Sequence, residues 1–381
     1  MLNARVRLAA TFATIFICAA LSLALPVTAS DLFVYFGTQR TGTNVGFSLA
    51  HFDTDTGALT KPEFLREAKA PAFFTLRPDG QRLYTCNATS PGEISAYEIT
   101  PHTGQLTLLN RASSGGDGPC YVSLDQTAHF VFVANYSSGN LAAYALKPDG
   151  SIGERTALVQ HTGRSVNPNR QTRPYAHSVI VDPSNRFVLV TDLGVDKVFV
   201  YRFNARDGSL TPNDPPFAAV APGSGPRHVK FHPNARWAYV VNEMASTVCA
   251  FDWNTTNGAL TELQTASALP EDFKGANTGA EIEVHPNGKF LYASNRGHDS
   301  LAVFAIDQKT GQLTLVEHVS CGGKTPRFFN FDPTGKWLLC SNHGSDNTVV
   351  FRVDPATGRL TQTGPPVTVP YPFCQQFLPV H

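Results

Sequence analysis

The sequence lacks the marks of several large functional classes. Its 30 Lys and Arg residues are matched by 30 Asp and Glu residues, so no basic excess points to a nucleic-acid partner. No cysteine pair has the CxxC spacing of a zinc site, and neither HxH nor HExxH occurs. The absence of GxGxxG and GxSxG gives no support to a nucleotide cofactor or a Ser-His-Asp hydrolase. We therefore expect neither a metal nor a cofactor.

Long apolar runs are also missing, except at the N-terminus. Arg5 and Arg7 precede an apolar stretch from 8 to 25, and Pro26-Val27-Thr28-Ala29 follows it. This order predicts a secretory signal peptide over residues 1–29, with an uncleaved membrane anchor as the alternative. The mature domain would be residues 30–381, periplasmic or secreted, with no stable membrane insertion after cleavage, and we expect a monomer.

What the sequence does contain is a unit of roughly fifty residues that recurs along the chain. The clearest copies are PRHVKFHPNARWAYVVN (226–242), AEIEVHPNGKFLYASN (280–295) and PRFFNFDPTGKWLLCSN (326–342). Each copy leads to a glycine turn, and the seven turn glycines are Gly57, Gly104, Gly150, Gly208, Gly258, Gly311 and Gly358. Short strands and glycine turns at this period are typical of a β-propeller. The repeat predicts an all-β fold of seven blades, each with four antiparallel strands.

The strand pattern within a blade is readable from one copy. Residues 227–232, 237–242, 247–253 and 260–264 are predicted as its four strands. The final segment, 371–380, resembles an innermost strand. We expect it to close the ring against the N-terminal strand near 32–37.

Aligning the copies on the turn proline, whose position Gln126 occupies in one copy, gives three informative columns. The start of the first strand and the end of the second lie at the same end of the channel, so these columns should meet in space. Six residues before the proline stand Ala72, Cys120, His177, Arg227, Ala280 and Arg327. Nine residues after it stand Asn87, Asn135, Asp192, Asn242, Asn295 and Asn342. Ten residues after it stand Ala88, Tyr136, Leu193, Glu243, Arg296 and His343.

The uniform Asn/Asp column indicates a structural role in bonding backbone. The other two columns become charged only in the later copies, which a purely structural position should not do. The candidate functional residues are therefore His177, Arg227, Glu243, Arg296, Arg327 and His343. His228 and Glu281, one residue further along the first strand, could point either to the blade interface or into the channel.

The residue types in this cluster indicate anion chemistry. Arginine forks match carboxylate or phosphate groups and can stabilise an oxyanion, while Glu and His can activate water. Two alternatives stay open. Arg227 and Glu243 could form a buried ion pair that only holds the blade, or His177, His228, Glu243 and Glu281 could bind a metal, against which the nearby arginines argue.

Cysteines and turn histidines give weaker signals. Six cysteines remain beyond the predicted signal peptide, and the positions of Cys86, Cys249 and Cys340 inside apolar strands favour buried thiols, with a bridge from Cys120 as the alternative. His129, His232 and His285 lie in the turns at the opposite end of the inner strands. They are interpreted as turn or surface residues.

Three segments resemble the bacterial seven-bladed lactonase family: 176–201, 223–243 and 280–297. That family includes 6-phosphogluconolactonase and the fungal carboxymuconate lactonizing enzyme, and the resemblance covers about 32–381. It implies a seven-bladed propeller that acts on lactones. The site of the fungal enzyme uses a His, two Arg and a Glu. By motif these residues correspond to His177, Arg227, Arg296 and Glu243, which are therefore predicted to be catalytic. His228, Glu281, Arg327 and His343 are predicted to bind substrate.

The functional hypothesis is hydrolysis of a small-molecule sugar lactone by metal-independent water activation, with Glu243 or His177 as the base. The predicted export leaves open whether the lactone is phosphorylated. Two rivals are an exported propeller that binds a partner without catalysis, and a lactone-forming cycloisomerase that uses the same residues in reverse.

Overall fold

A computed structural model describes residues 31–38 and 45–380, and over these ranges the chain is all-β. The predicted signal peptide lies outside the described residues. Seven antiparallel sheets form a ring of seven blades, as the repeat predicts. No helix in the described ranges has the length and apolarity needed to cross a membrane.

Within each blade the strands run in order from the channel outward. Blade one contains β29 (Pro372–Pro379), β1 (Asp31–Thr38), β2 (Gly46–Asp53) and β3 (Glu63–Glu67). Blade two contains β4 (Pro71–Leu76), β5 (Arg82–Asn87), β6 (Glu93–Ile99) and β7 (Leu106–Ser113). Blade three contains β8 (Pro119–Leu124), β9 (Phe130–Asn135), β10 (Asn140–Leu146) and β11 (Ile152–Gln160). Blade four contains β12 (Ala176–Val181), β13 (Phe187–Asp192), β14 (Lys197–Phe203) and β15 (Leu210–Ala219).

The remaining blades follow the same order. Blade five contains β16 (Pro226–Phe231), β17 (Trp237–Asn242), β18 (Thr247–Asn254) and β19 (Ala259–Ser267). Blade six contains β20 (Thr278–Val284), β21 (Phe290–Arg296), β22 (Ser300–Ile306) and β23 (Leu313–Ser320). Blade seven contains β24 (Pro326–Phe331), β25 (Trp337–Asn342), β26 (Asn347–Val353) and β27 (Leu360–Gln362), and the short β28 (Val367–Thr368) also pairs with β26.

The first and last described strands, β1 and β29, close the ring within blade one. β29 pairs antiparallel with β1, with Leu32 opposite Pro379 and Gly37 opposite Cys374. Each innermost strand contacts the innermost strands of both neighbouring blades, including β29 with β4 and β24. The predicted closure by the C-terminal strand is confirmed.

Turn glycines dock each blade onto its neighbour. Gly311 has a left-handed backbone (φ 75°), and a Cβ on it would lie 2.6 Å from the ring of Trp237 in the preceding blade. Tyr239 donates a hydrogen bond of 3.0 Å to the Gly311 carbonyl. The same bond joins three further pairs: Tyr35 with Gly104, Tyr84 with Gly150, and Tyr292 with Gly358. Glycine recurs in these turns because the turn lies directly on a side chain of the preceding blade.

Two of the turn histidines are not surface residues. His232 and His285 are buried, and their Nε2 atoms hydrogen-bond the carbonyls of Gly288 and Gly335 in the following blade. Their placement in turns is confirmed, but the surface interpretation is wrong because the next blade covers them. His129 is exposed, as predicted. All six described cysteines are free thiols, and five of them are buried.

The first aligned column coincides with an irregularity in the inner strands. In blades two to five and blade seven, the ladder between the first two strands shifts by one residue at the column position, as at Arg227, which lies between the paired Pro226 and His228. Blade six has a longer shift between Gly279 and Ile282. Bulges re-aim side chains, so the column residues are freed from the regular alternation of the strand.

Candidate active site

The centre of the candidate site is the carboxylate of Glu243, just after β17. Its Oε1 accepts a hydrogen bond of 2.6 Å from Nη2 of Arg170. Its Oε2 lies 3.0 Å from Nη2 of Arg296 and 3.2 Å from Nε of Arg227. Nε2 of His177 lies 4.0 Å from the same oxygen. The four residues predicted as catalytic therefore meet around one carboxylate.

The electrostatic environment holds Glu243 ionised. Burial alone would raise the pKa of this carboxyl, but the Arg296 and Arg227 guanidiniums outweigh burial and keep its pKa well below the usual range. A carboxylate with so low a pKa is a weak proton acceptor at neutral pH. The Nε–H groups of Arg227 and Arg296 are buried and make no hydrogen bond within the described residues, although Nε of Arg227 lies at ion-pair distance from Oε2 of Glu243.

His177 is buried beside the carboxylate, at the bulge of β12. Burial first, and then the charge of Arg227, lowers the pKa of His177 well below its usual value, so the imidazole is neutral at pH 7. Tyr136 packs edge-to-face on the ring with centroids 5.4 Å apart, and Sγ of Cys120 lies 3.9 Å from Nδ1. The site thus contains one neutral imidazole with a carboxylate on its Nε2 side.

Arg327 differs from the other arginines of the site. Its Cζ lies 3.8 Å from the ring centroid of Phe373, and among the described residues no carboxylate forms an ion pair with it. Burial, and then repulsion from Arg227 and Arg296, lowers the pKa of its guanidinium. An anion placed among these three guanidiniums would relieve that repulsion.

His343 lies beside Arg327 on the same aromatic wall. Its ring packs edge-on against Tyr371 and Phe373, with centroids 5.1 and 4.9 Å apart. Burial and then the Arg327 charge lower its pKa, which favours the neutral ring. The structure therefore places both residues next to the Glu243 cluster, as the aligned columns predict.

His228 and Glu281 are buried at least as deeply as Arg227. Their exposed fractions are 2% and 0%. Nδ1 of His228 lies 2.8 Å from Oε1 of Glu281, and Nη1 of Arg227 lies 3.1 Å from Nε2 of the same ring. The His228 ring also packs against Phe73 of blade two and Tyr121 of blade three, so it points into the channel while its bond to Glu281 links blades five and six.

Arg170 was not predicted from the repeat. It lies on the connection from β11 to β12, outside any repeated unit, and its side chain is 42% exposed. Burial on its own would lower the pKa of Arg170, but hydrogen bonds to Glu243 and Tyr136 outweigh burial and raise it. The one sequence feature that points to Arg170 is the length of its segment, since the interval from Gly150 to Gly208 is the longest between turn glycines.

The uniform Asn/Asp column has the predicted structural role. All six side chains are buried. Nδ2 of Asn135, Asn295 and Asn342 donates to a backbone carbonyl, and Asp192 accepts from two backbone N–H groups. Asn87 and Asn242 instead donate to side chains of the adjacent strand.

The residues considered for a metal site do not form one arrangement. In the ranges 31–38 and 45–380, no group of three or more His, Cys, Asp or Glu side chains is placed to hold a metal ion. Glu243 is surrounded by guanidiniums, whereas Glu281 bonds His228 below them. Positive neighbours and separated carboxylates make this donor set poorly suited to a cation.

Comparisons with known proteins agree with this geometry. The family model for lactonases with a seven-bladed β-propeller matches residues 33–377. The chain is 39% identical to a 6-phosphogluconolactonase of Bacillus subtilis over 345 residues, covering 90% of this chain and 97% of that protein. A 6-phosphogluconolactonase of Formosa agariphila is 32% identical, with 78% and 84% covered.

A solved structure is similarly close. The periplasmic gluconolactonase of Pseudomonas aeruginosa superposes with a TM-score of 0.87 at 32% identity, over 92% of this chain and all of that one. The similarity therefore extends around the whole ring.

Proposed function

The chain belongs to the family of lactonases with a seven-bladed β-propeller, and we propose that it hydrolyses a sugar lactone of the 6-phosphogluconolactone type without a metal ion. The observation that carries the proposal is the Glu243 carboxylate held by Arg170, Arg227 and Arg296 beside a neutral imidazole. This set can bind an acyl oxygen that becomes negative and can accept a proton from water.

Arg227 and Arg296 are assigned to the oxyanion. Their Nε–H groups make no hydrogen bond within the described residues, and each guanidinium already has a second anchor in a backbone carbonyl, that of Ala280 or Gly279. Donors fixed in this way need little reorganisation when charge develops on the lactone carbonyl oxygen. The expected contribution of one such donor is on the order of 100-fold in kcat.

His177 is assigned as the base. Its neutral ring takes a proton as the water oxygen bonds to the lactone carbonyl carbon, and the carbonyl oxygen becomes the oxyanion. When the oxyanion collapses, the C–O bond of the lactone ring breaks. The imidazolium of His177 then returns its proton to the departing alkoxide, which gives a hydroxy acid. Glu243 Oε2, 4.0 Å away, stabilises the imidazolium by charge.

Glu243 is assigned a holding role, not that of the base. Both of its oxygens are already held by guanidiniums, Oε1 by Arg170 and Oε2 by Arg227 and Arg296, so they are poorly placed to accept a proton from water. Its negative charge holds the guanidiniums of Arg170, Arg227 and Arg296 in place and offsets part of their mutual repulsion. Arg327 and His343 are assigned to binding the part of the lactone away from the reacting carbonyl, and Arg327 faces an anionic group there.

Export belongs to the proposal as well. Residues 1–29 have the order of a signal peptide, and the similar structure from Pseudomonas aeruginosa is a periplasmic protein. Mass spectrometry of the mature protein from the native host's cell fractions tests this. A chain beginning at Ser30 outside the cytoplasm is expected, and an intact N-terminus in the cytoplasm would contradict it.

The test of function is a panel of lactones assayed with residues 30–381. The panel contains glucono-δ-lactone, its 6-phosphate and a carboxymuconolactone, with spontaneous hydrolysis subtracted. Saturable ring opening of a sugar lactone is the expected result. Binding of every member without turnover would favour the non-catalytic propeller, and turnover confined to muconate and its lactone would favour the cycloisomerase.

A further inference from the structure

Two buried titratable residues have no part in the mechanism proposed above. His228 lies on β16 and Glu281 on β20, the innermost strands of adjacent blades. Both are buried, their side chains are bonded to each other, and the His228 ring contacts Arg227. Their arrangement therefore requires a separate explanation.

The directions of the hydrogen bonds are fixed by chemistry. Nδ1 of His228 lies 2.8 Å from Oε1 of Glu281, and an ionised carboxylate can only accept, so the proton of the neutral ring lies on Nδ1 and is donated to Glu281. Nη1 of Arg227, which can only donate, lies 3.1 Å from Nε2 and 3.4 Å from Nδ1 of the same ring, so it approaches the imidazole from outside the ring plane. Glu281 thus fixes the ring against which Arg227 rests.

The surroundings keep the His228 imidazole neutral and buried. Burial, and then the charges of Arg227 and Lys230, lowers the pKa of His228 well below its usual value, so the neutral form prevails. Phe73 and Tyr121 pack edge-on against the imidazole, with centroids 6.0 and 5.0 Å away. Hydrogen bonds are stronger and more directional where water is excluded.

The consequence falls on Arg227. Nη1 is held by His228 and by the Ala280 carbonyl at 2.6 Å, while Nε lies 3.2 Å from Oε2 of Glu243. The guanidinium is fixed at its Nη1 end and presents its Nε edge to the site. An arginine has several rotatable bonds, and without such anchors its fork would sample many orientations.

We propose that Glu281 and His228 are positioning residues: they form a buried relay that orients Arg227 for the oxyanion and do not contact the substrate. This inference rests on the proposed function of Arg227. The contrasting explanation is a tie between two blades with no effect on chemistry.

The same two strands provide a matched control. Two residues further along, Nζ of Lys230 lies 2.6 Å from Oε1 of Glu283, and this ion pair also joins blades five and six. The structure shows no contact between this pair and Arg227 side-chain nitrogens. Glu283→Gln should therefore alter stability while leaving kcat within about twofold.

The decisive comparison is His228→Leu with His228→Gln. A Gln side-chain oxygen can accept a hydrogen bond from Arg227, whereas Leu cannot. His228→Leu should lower kcat by ~10- to 100-fold with KM changed less than about threefold, and His228→Gln should recover most of that loss. Equal kcat losses in both variants would overturn the proposal. If His228→Leu does not fold, Glu281→Leu and Glu281→Gln repeat the comparison one step back.

A double-mutant cycle identifies the route of the effect. In an Arg227→Ala background, His228→Leu should cause no further loss in kcat, because the oriented group is already gone. If the double variant instead loses kcat by the product of the two single-variant factors, His228 acts independently of Arg227. If the wild-type chain opens no lactone, the proposed function fails, and the relay is judged instead by calorimetric binding of 6-phosphogluconate. The same non-additivity in affinity would support it, and additive losses would overturn it.

Discussion

Nη2 of Arg170 donates a hydrogen bond of 2.6 Å to Oε1 of Glu243, although the two residues are 73 positions apart. Arg170 comes from the connection between blades three and four, and Glu243 follows the second strand of blade five. The carboxylate is consequently bound on the side opposite Arg227 and Arg296, which both approach Oε2. This arrangement explains why a buried acid stays ionised and why the site has an excess of positive charge.

Glu243→Gln should lower the free energy of unfolding by roughly 3 kcal/mol at pH 7, because it leaves buried guanidiniums without their counter-charge. The folded-state pKa of Glu243 lies below its unfolded value of 4.5. Its stabilising contribution is therefore complete above that pH and is lost as the pH falls below it. Urea titrations at pH 7 and at pH 3 should show that the difference in the free energy of unfolding between wild type and Glu243→Gln is smaller at pH 3. An equal difference at both pH values would contradict the negative charge assigned to Glu243.

His177→Asn should lower kcat by ~100-fold or more while KM changes little, because a base acts on the chemical step. Since the pKa of His177 lies well below 6.5, protonation of this residue should not reduce wild-type kcat/KM between pH 8 and pH 6.5. Steady-state kinetics across this range test both points. A rise in KM at unchanged kcat would assign His177 to substrate binding instead.

Arg327→Gln should discriminate between charged and uncharged substrates. Loss of one charge-assisted contact is expected to raise KM for a phosphorylated or carboxylated lactone by ~10- to 100-fold, since such a contact contributes about 1.5–3 kcal/mol. KM for glucono-δ-lactone should barely change. Arg327→Lys, which keeps the charge but not the fork, should fall between wild type and Arg327→Gln for the anionic lactone. Equal effects on both substrates would contradict this assignment.

Gly311→Ala and Gly364→Ala form a matched pair for the blade interface. Both glycines have a left-handed backbone, with φ of 75° and 70°. A Cβ at 311 would meet the Trp237 ring at 2.6 Å, whereas at 364 nothing lies within 4 Å. The first variant should therefore be less stable than the second by roughly 1–3 kcal/mol, the cost of overpacking. Similar urea midpoints for the two variants would show that the left-handed backbone alone, and not contact with the neighbouring blade, explains the turn glycines.

The repeat carried enough information to predict the fold and to place most of the site at one end of the channel. Arg227, Glu243 and Arg296 could be brought together from sequence because the first two occupy aligned positions of blade five and the third an aligned position of blade six. The 371–380 strand could be predicted because it continues the inner-strand pattern.

Other features arise from contacts that the repeat does not encode. Arg170 lies on a connection that belongs to no repeated unit, so no alignment could direct it toward Glu243. The burial of His232 depends on the turn of the next blade, more than fifty residues later. The depth of His228 and Glu281 depends on the rings of Phe73 and Tyr121, which reach His228 from blades two and three. The bulges are backbone irregularities that the side-chain pattern does not reveal.

The most direct test of the account is the rate of sugar-lactone opening by residues 30–381 after metal removal with a chelator. The account predicts that the stripped protein keeps its full saturable rate, while folded Glu243→Gln loses at least ~100-fold under the same conditions. A rate that disappears on stripping and returns with added divalent metal, or that survives in Glu243→Gln, would contradict a metal-independent site organised by this carboxylate.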